Sequence, residues 1–136
     1  MKAVLVAGSR SWTDRTAIEE RIAANETGEG THVLIHGAAR GADRIADRVA
    51  RERGWHVETY PANWSRFHKK AGPIRNRVMV ERLLELFAKG TTVAVEAFLD
   101  ADSRGTRHTI KIAREAGLKV HITDDPDDPQ DHEFDL

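Results

Sequence analysis

The chain has 136 residues, of which 40% are hydrophobic and 32% are charged, and none is cysteine. This length and composition predict one globular domain, and the lack of cysteine excludes disulfide bonds, thiolate catalysis and cysteine-based zinc sites. Seven of the 22 acidic residues but none of the 21 basic ones follow residue 122, so residues 1–122 hold 21 basic and 15 acidic side chains. Their formal charge of +6 favours an anionic ligand or a nucleic acid.

Short apolar runs alternate with amphipathic runs along this basic body. Lys2–Ala7 is a continuous apolar run typical of a buried parallel strand, and apolar residues recur with helical spacing from Ala42 onward. Strands are predicted at residues 2–7, 31–36, 55–60, 91–99 and 118–122. Helices are predicted after a cap at Thr13 or Asp14, over 42–53, from Gly72 to Lys89 and over 106–116. Residues 61–71 show no period and are predicted to form a long loop at a binding edge.

Alternation of strands and helices predicts parallel strands joined by right-handed crossovers. We therefore expect a single Rossmann-like α/β domain of three layers. Its open parallel sheet would have about five strands in the order 3-2-1-4-5, with helices on both faces. The domain is predicted to span residues 1–122, followed by a flexible acidic tail at 123–136. Ligands of such sheets bind at the carboxyl ends of the strands, near the reversal of strand order.

Three of the predicted strands end in a glycine-containing loop with an arginine close by. The pairs are Gly8 and Arg10, Gly37 and Arg40, and Gly105 and Arg104. Strands 2, 1 and 4 are neighbours in the predicted order, so the three loops should border one crevice. Free N–H groups at a helix start, the helix dipole and close approach over glycine can hold a phosphate, and arginine adds further donors. The convergence of loops predicts a ligand that bears phosphate.

Other residues near these loops could serve either the ligand or the fold. Arg75 and Asn76 lie at a helix start, where the dipole disfavours a cation, so the expected partner is a ligand phosphate or ribose. Asp43 is expected to cap the backbone of its helix. Trp12 and Trp64 could stack on a base, although tryptophan more often shields the edge of a core. No spacing of histidines suits one metal ion, so no metal site is predicted.

Three sequence motifs together resemble a known family. They are Gly8-Ser9-Arg10, the stretch from His36 to Asp43 (HGAARGAD) and the stretch from Ala71 to Met79 (AGPIRNRVM). In this order and spacing they resemble the YspA/YpsA-related members of the SLOG superfamily, over about residues 2–122. The resemblance implies a Rossmann-like fold that binds a nucleotide or nucleotide derivative. It also implies kinship with the LOG enzymes, which cleave the N-glycosidic bond of nucleoside monophosphates, and with the DNA-processing protein DprA.

The chain keeps only part of each motif by which the LOG enzymes act. Arg75 and Met79 fit their R-K-x-x-M helix start, but Asn76 stands in place of the lysine. Gly105 and Thr106 match the G-T pair of their P-G-G-x-G-T-x-x-E loop. The resemblance therefore carries over ligand binding more readily than cleavage.

The missing glutamate of the second motif leaves cleavage without an obvious carboxylate. Asp102 and Ser103 replace the glycine pair, and Thr109 occupies the glutamate position. Glycosidic cleavage passes through an oxocarbenium-like state that requires a carboxylate nearby. Glu96, within the fourth predicted strand, or Glu81, on the preceding helix, could supply it. Glu96 could instead form an ion pair with an arginine or a contact in a dimer.

We expect first a protein that binds a nucleotide or nucleotide-derived small molecule. The residues expected to bind it are Gly8, Ser9, Arg10, Gly37, Ala39, Arg40, Gly41, Asp43, Arg75, Asn76, Gly105 and Thr106. Ser9 and Arg10 would close the site over a phosphate held by the other loops. The alternative is an N-glycosidic hydrolase acting on nucleoside phosphates, with Arg75 and either Glu96 or Glu81 as catalytic residues. A third hypothesis is a nucleic-acid-binding module related to DprA.

The remaining expectations concern partners and location. No apolar run reaches the roughly 18–20 residues of a membrane span, and no signal peptide precedes the first strand. A cytoplasmic protein without a membrane partner is therefore expected. Because LOG-like relatives pair through helices beside the site, the resemblance implies a homodimer. No cofactor is expected.

Overall fold

The computed structural model describes residues 1–131, in which strands and helices alternate throughout. The strands are β1 (Lys2–Gly8), β2 (His32–His36), β3 (His56–Thr59), β4 (Thr92–Leu99) and β5 (Val120–Asp124). The helices are α1 (Arg15–Asn25), α2 (Ala42–Glu52), α3 (Trp64–Phe67), α4 (Ala71–Ala88) and α5 (Arg104–Glu115), with a 3-10 turn at His68–Lys70. Every predicted strand is present, with its ends within two residues of the predicted ones.

All five strands are parallel and lie in the order β3-β2-β1-β4-β5. β1 occupies the centre of the sheet, where Lys2 lies opposite His32 of β2 on one side and Thr92 of β4 on the other. The Rossmann-like α/β fold and the order 3-2-1-4-5 are therefore confirmed. The strand order reverses between β1 and β4, and the carboxyl ends of β2, β1 and β4 meet at one edge.

Apolar side chains alternate along the strands and pack against helices on both faces of the sheet. One layer, beneath α1 and α2, contains Val4, Val6, Leu34, Phe98, Ile18, Ile22, Ala46 and Val49. The other layer, beneath α4 and α5, contains Ala3, Leu5, Ile35, Val95, Met79, Leu83 and Ile112. No helix within residues 1–131 is both long and apolar enough to cross a membrane.

Residues 61–71 were predicted to be a loop, but they fold into α3, the 3-10 turn and the start of α4. The Asn63 side chain accepts hydrogen bonds from the Arg66 amide at 3.2 Å and the Ser65 hydroxyl at 3.0 Å, which fixes the start of α3. His68, with a φ of 51°, then redirects the chain toward α4. A four-residue helix is too short to show apolar periodicity, so the pattern of the sequence does not reveal it.

β5 extends two residues past the domain boundary predicted at residue 122. Beyond the strand, the Ala101 amide donates a hydrogen bond of 2.8 Å to the Asp128 carboxylate, which joins the C-terminal segment to the loop after β4. The first residues of the predicted tail at 123–136 therefore contact the domain. Residues 132–136 lie outside the described part of the chain.

Candidate functional site

A cavity of about 620 Å³ opens at the carboxyl edge of the sheet, between the three predicted loops and α4. We call it the main cavity. Eight of the twelve residues predicted to bind a ligand line it: Gly8, Arg10, Ala39, Asp43, Arg75, Asn76, Gly105 and Thr106. Gly37 and Arg40 line a smaller cavity beside it, whereas Ser9 and Gly41 line neither. The strand order brings the three loops to one place, as the sequence predicts.

Hydrogen bonds join the loop after β1 to both of its neighbours. The Ser9 amide donates to the Phe98 carbonyl at 3.1 Å, and the Ser9 carbonyl accepts from the Ala42 amide at 3.1 Å. The Ser9 hydroxyl lies 2.9 Å from the Ser11 hydroxyl, which donates to Asp100 at 3.1 Å. Ser9 is only 1% exposed, so it fixes the loops to one another, in contrast to the prediction that it closes the site.

Gly41 makes the contact between the first two loops possible. It has a φ of +73°, a conformation that L side chains rarely adopt. A Cβ atom at this position would lie 2.6 Å from the carbonyl carbon of Arg10 and would also overlap the Ser9 carbonyl. Gly41 is therefore required for the close approach of two backbones, and it does not itself face a ligand.

The first amides of the loop after β2 are occupied by protein acceptors. Asp43 Oδ2 accepts hydrogen bonds from the amides of Gly37 at 3.1 Å and Ala39 at 3.2 Å. Asp43 thus caps backbone N–H groups, as predicted, and these groups belong to the loop that precedes its helix. Burial raises the pKa of Asp43, and the attraction of His36 only partly offsets that effect. The prediction that Gly37 and Ala39 offer their amides to a ligand is corrected by these contacts.

Arg75 fixes the same loop through its carbonyl side. Its Nη1 group donates to the Gly37 carbonyl and, at 3.5 Å, to the Tyr60 carbonyl, while Nε donates to Asn76 Oδ1 at 2.9 Å. Burial lowers the pKa of Arg75, and the nearby Asp43 carboxylate opposes the shift. Within residues 1–131 its Nη2 group makes no hydrogen bond. Arg75 therefore keeps one pair of donors available to a ligand.

Asn76 ties α4 to the start of α5. Its Nδ2 group donates to the Gly105 carbonyl at 3.3 Å and lies 3.1 Å from His108 Nδ1. Burial lowers the pKa of His108, which favours the neutral ring that can accept this hydrogen bond. Asn76 is 4% exposed and both of its polar atoms have protein partners, so it orients Arg75 and α5 and does not grip a ribose.

The start of α5 leaves backbone donors open to the main cavity. Ser103 does not cap the helix, because its hydroxyl accepts the Asp100 amide at 2.9 Å. No side chain of residues 1–131 accepts from the amides of Arg104, Gly105 or Thr106, and all three residues line the main cavity. This end of a 12-residue helix carries partial positive charge. It is the part of the site best suited to an anion.

The carboxylates predicted for glycosidic cleavage do not line the main cavity. Glu96 is 2% exposed on β4, where it accepts hydrogen bonds from Arg21 at 2.8 and 3.0 Å and from Asn25 at 2.9 Å. Glu96 therefore forms an ion pair with an arginine, which was one of the alternatives to a catalytic role. Glu81 is exposed on α4 and also lies outside the cavity lining.

Several residues of the cavity wall were not singled out as ligand-binding from the sequence. Lys69 comes from the 3-10 turn, within the segment predicted to be a loop. Among residues 1–131, the carboxylates that do line the main cavity are Asp43 and Asp102. Thr109, at the position of the LOG glutamate, also lines it and donates to the Gly105 carbonyl at 3.3 Å. Recognition that α5 begins at Arg104 would have placed Thr109 beside the site.

The two tryptophans near the loops have different surroundings. Trp12 is 3% exposed and packs against Phe98 with 5.5 Å between ring centroids, so it belongs to the core. Trp64 is 47% exposed and lines both cavities. The Arg10 guanidinium lies 5.6 Å from the centre of the Trp64 ring, a distance typical of a cation–π contact. Trp64 is therefore the tryptophan placed to contact a ligand.

Known proteins resemble the chain over different lengths. The family described as YspA, cpYpsA-related SLOG matches residues 2–67, which include the first two loops and α3. The Gene 61 protein of Mycobacterium phage D29 is 40% identical over 127 residues, covering 88% of this chain and 94% of the phage protein. The similarity to the phage protein therefore extends well beyond the family match, although its name specifies no ligand.

Proposed function

Because the chain belongs to the YspA, cpYpsA-related SLOG family, we propose that it binds a nucleotide or nucleotide-derived small molecule in the main cavity. The observation that carries the proposal is the uncapped start of α5. The amides of Arg104, Gly105 and Thr106 open into a cavity that two further arginines, Arg10 and Arg75, also line. Backbone donors, a helix dipole and guanidinium groups together match the geometry of a phosphate.

The rest of the cavity suits the remaining parts of a nucleotide. The Trp64 ring offers an exposed aromatic face on which a base can stack. The cavity wall also includes the apolar residues Val6, Ala7 and Met79, which can pack against a base or sugar. A phosphate at α5 and a base near Trp64 would therefore occupy the same cavity.

Hydrolysis of the N-glycosidic bond is a second candidate function, favoured by one specific feature. The buried carboxylate of Asp43 and the guanidinium of Arg75 line the same cavity, and burial raises the pKa of Asp43. A carboxyl group with a raised pKa can protonate a leaving group near neutral pH. Asp43 would then act as the general acid that protonates the departing base, a role different from that of the carboxylate predicted at Glu96 or Glu81.

Binding is tested by isothermal titration with the four common nucleoside 5′-monophosphates, followed by chromatography of the mixtures to detect released base. Arg104→Gln should weaken binding about tenfold, since a charge-assisted contact to phosphate is lost. Lys111→Gln is the matched control, because it removes the same charge from α5 on an exposed side chain away from the cavity.

The outcomes separate the hypotheses. Saturable binding without released base supports a binding protein, and released base that disappears in Asp43→Asn supports the hydrolase. Binding that falls equally in Arg104→Gln and Lys111→Gln would reflect net charge alone and contradict a phosphate site at α5. Absence of binding by every nucleotide would overturn the proposed function.

A further inference from the structure

The smaller cavity, of about 230 Å³, lies beside the main cavity and is lined by four arginines. They are Arg10 from the loop after β1, Arg40 and Arg44 from the loop after β2 and the start of α2, and Arg75 from α4. No carboxylate of residues 1–131 lines this arginine cavity. Its other wall residues are Gly37, Ala38, Ala39, Pro61, Ala62 and Trp64.

These arginines are not neutralised by the protein around them. Arg40, Arg44 and Arg10 make no ion pair within residues 1–131; Arg40 and Arg44 are exposed, and the Arg10 guanidinium lies against the Trp64 ring. Arg75 is close enough to Arg10 for the two charges to repel each other, and the Asp43 carboxylate is engaged on the other side of the loop. Four like charges around one concavity create a positive potential that an anionic group would relieve.

The arginine cavity and the main cavity are adjacent. Arg10, Ala39, Trp64 and Arg75 belong to the walls of both, so one ligand can contact both cavities at these side chains. The two anion-binding regions also use different donors, backbone amides at α5 and guanidinium groups in the arginine cavity. One ligand that binds both regions at once carries two separated anionic groups.

Resting on the proposed function, we propose that the natural ligand is a nucleotide derivative with two separated phosphoryl groups, the second of which binds in the arginine cavity. A 5′-phosphorylated dinucleotide has this arrangement, because a nucleoside separates its two phosphates. Arg40 and Arg44 hold the second group, and they line the arginine cavity without lining the main one. Arg40 and Arg44 thus select ligands with a second phosphoryl group, whereas the start of α5 binds the phosphate that every nucleotide carries.

The test compares nucleoside 5′-monophosphates with the 5′-phosphorylated dinucleotides pApA, pGpG, pCpC and pUpU by isothermal titration. The best dinucleotide should bind at least about tenfold more tightly than the corresponding mononucleotide, since it gains charge-assisted hydrogen bonds. The double variant Arg40→Gln, Arg44→Gln should lose most of this advantage and keep the affinity for the mononucleotide within about twofold. Arg48→Gln, an exposed arginine one turn beyond Arg44 and outside both cavities, is the control.

Each outcome decides between specific alternatives. Equal affinity for mononucleotides and dinucleotides would overturn the inference and leave the proposed function standing. Affinity that keeps rising with longer oligonucleotides, falls steeply with salt and responds equally to Arg48→Gln would also overturn it, in favour of a nucleic-acid surface. If neither class binds, the proposed function fails and the inference fails with it.

Discussion

Asp43 and Arg75 both hold the backbone of Gly37: the Asp43 carboxylate accepts a hydrogen bond from the Gly37 amide, and the Arg75 guanidinium donates one to the Gly37 carbonyl. A Cβ atom on Gly37 would lie 2.7 Å from Arg75 Cζ, so a side chain at this position would displace the Arg75 guanidinium. Both contacts lie in a largely buried loop, where an unpaired polar group is costly. The shape of the loop after β2 therefore depends on the Asp43 side chain as an acceptor of hydrogen bonds.

Removal of the Asp43 carboxylate should destabilise the fold. We expect Asp43→Ala to lower the free energy of unfolding by about 1–3 kcal/mol, because two buried amides lose their acceptor. Asp43→Asn keeps an acceptor and removes the charge. Burial raises the pKa of Asp43 above its ordinary 3.8, so its contribution to stability is complete below that pH and is lost as the pH rises through the folded pKa. Urea unfolding between about pH 4 and pH 7 should show Asp43→Asn gaining stability relative to the wild type.

Asp47, one turn further along α2, serves as a control because its pKa is shifted in the opposite direction. Burial raises its pKa, but hydrogen bonds from Arg51 and His36 outweigh burial and lower the pKa below 3.8. The stability that Asp47 contributes is present above pH 3.8 and is lost only as the pH falls through the folded pKa. The free energy of unfolding that Asp47→Asn loses relative to the wild type should therefore shrink only in acid. If the free energy of unfolding of the two variants changed with pH in the same way, the raised pKa of Asp43 would be contradicted.

The fold could be predicted from the sequence because the strands that form the core are short, continuous apolar runs. Lys2–Ala7 is a continuous apolar run typical of a buried central strand, and the alternation of strands and helices predicts a parallel sheet, for which the order 3-2-1-4-5 was assumed. The polar contacts within the site follow a different logic. The Gly37 amide donates to Asp43 and not to a phosphate because the Asp43 side chain, six residues further along, turns back toward it. No periodicity of the sequence encodes that direction. Glu96 is similar, since its partner Arg21 is 75 residues away in sequence.

The Glu96 cluster should be essential for stability but not for binding. Arg21→Ala would leave a carboxylate with 3% side-chain exposure next to Asn25 and a largely exposed His121, without its guanidinium partner. Loss of one partner from a buried ion pair costs about 3–5 kcal/mol, so a large fall in the free energy of unfolding is expected. The double variant Arg21→Leu, Glu96→Leu should recover most of it. A loss below about 1 kcal/mol in Arg21→Ala would show that solvent already screens the pair.

Gly105→Ala should separate stability from ligand binding. A Cβ atom at this position meets no protein atom within 4 Å, and alanine favours a helix over glycine by about 0.5–1 kcal/mol. The free energy of unfolding should therefore stay the same or rise slightly. The added methyl group lies at the start of α5, where a phosphate must approach the amides closely, so affinity for nucleotides should fall at least about fivefold. Gly117→Ala, at the other end of α5, is unsuitable as a control because its φ of +85° strains alanine.

The matched control for Gly105→Ala is Lys111→Ala, on the exposed side of α5. It too adds helix propensity without altering the cavity wall. Unchanged affinity in Lys111→Ala beside reduced affinity in Gly105→Ala is the expected result. If both variants bind like the wild type, the amides of α5 are not the phosphate site.

Trp64 should contribute to ligand affinity and little to stability. Its side chain is 47% exposed, so Trp64→Ala is expected to change the free energy of unfolding far less than alanine at the buried Trp12 or Trp55. A base stacked on an aromatic ring is worth about 1–3 kcal/mol, which predicts at least about a fivefold loss of nucleotide affinity in Trp64→Ala. Phe87→Ala, which removes a 60% exposed aromatic ring from the far end of α4, should bind like the wild type.

Fluorescence gives an independent readout of the same contact. The chain has three tryptophans, and Trp12 and Trp55 are buried in the core, so quenching on addition of a nucleotide should arise from Trp64. Trp64→Phe keeps an aromatic face for stacking and should retain most of the affinity while it abolishes the quenching. Quenching that persists in Trp64→Phe, together with full affinity in Trp64→Ala, would place the base elsewhere in the main cavity, because neither signal would then depend on this ring.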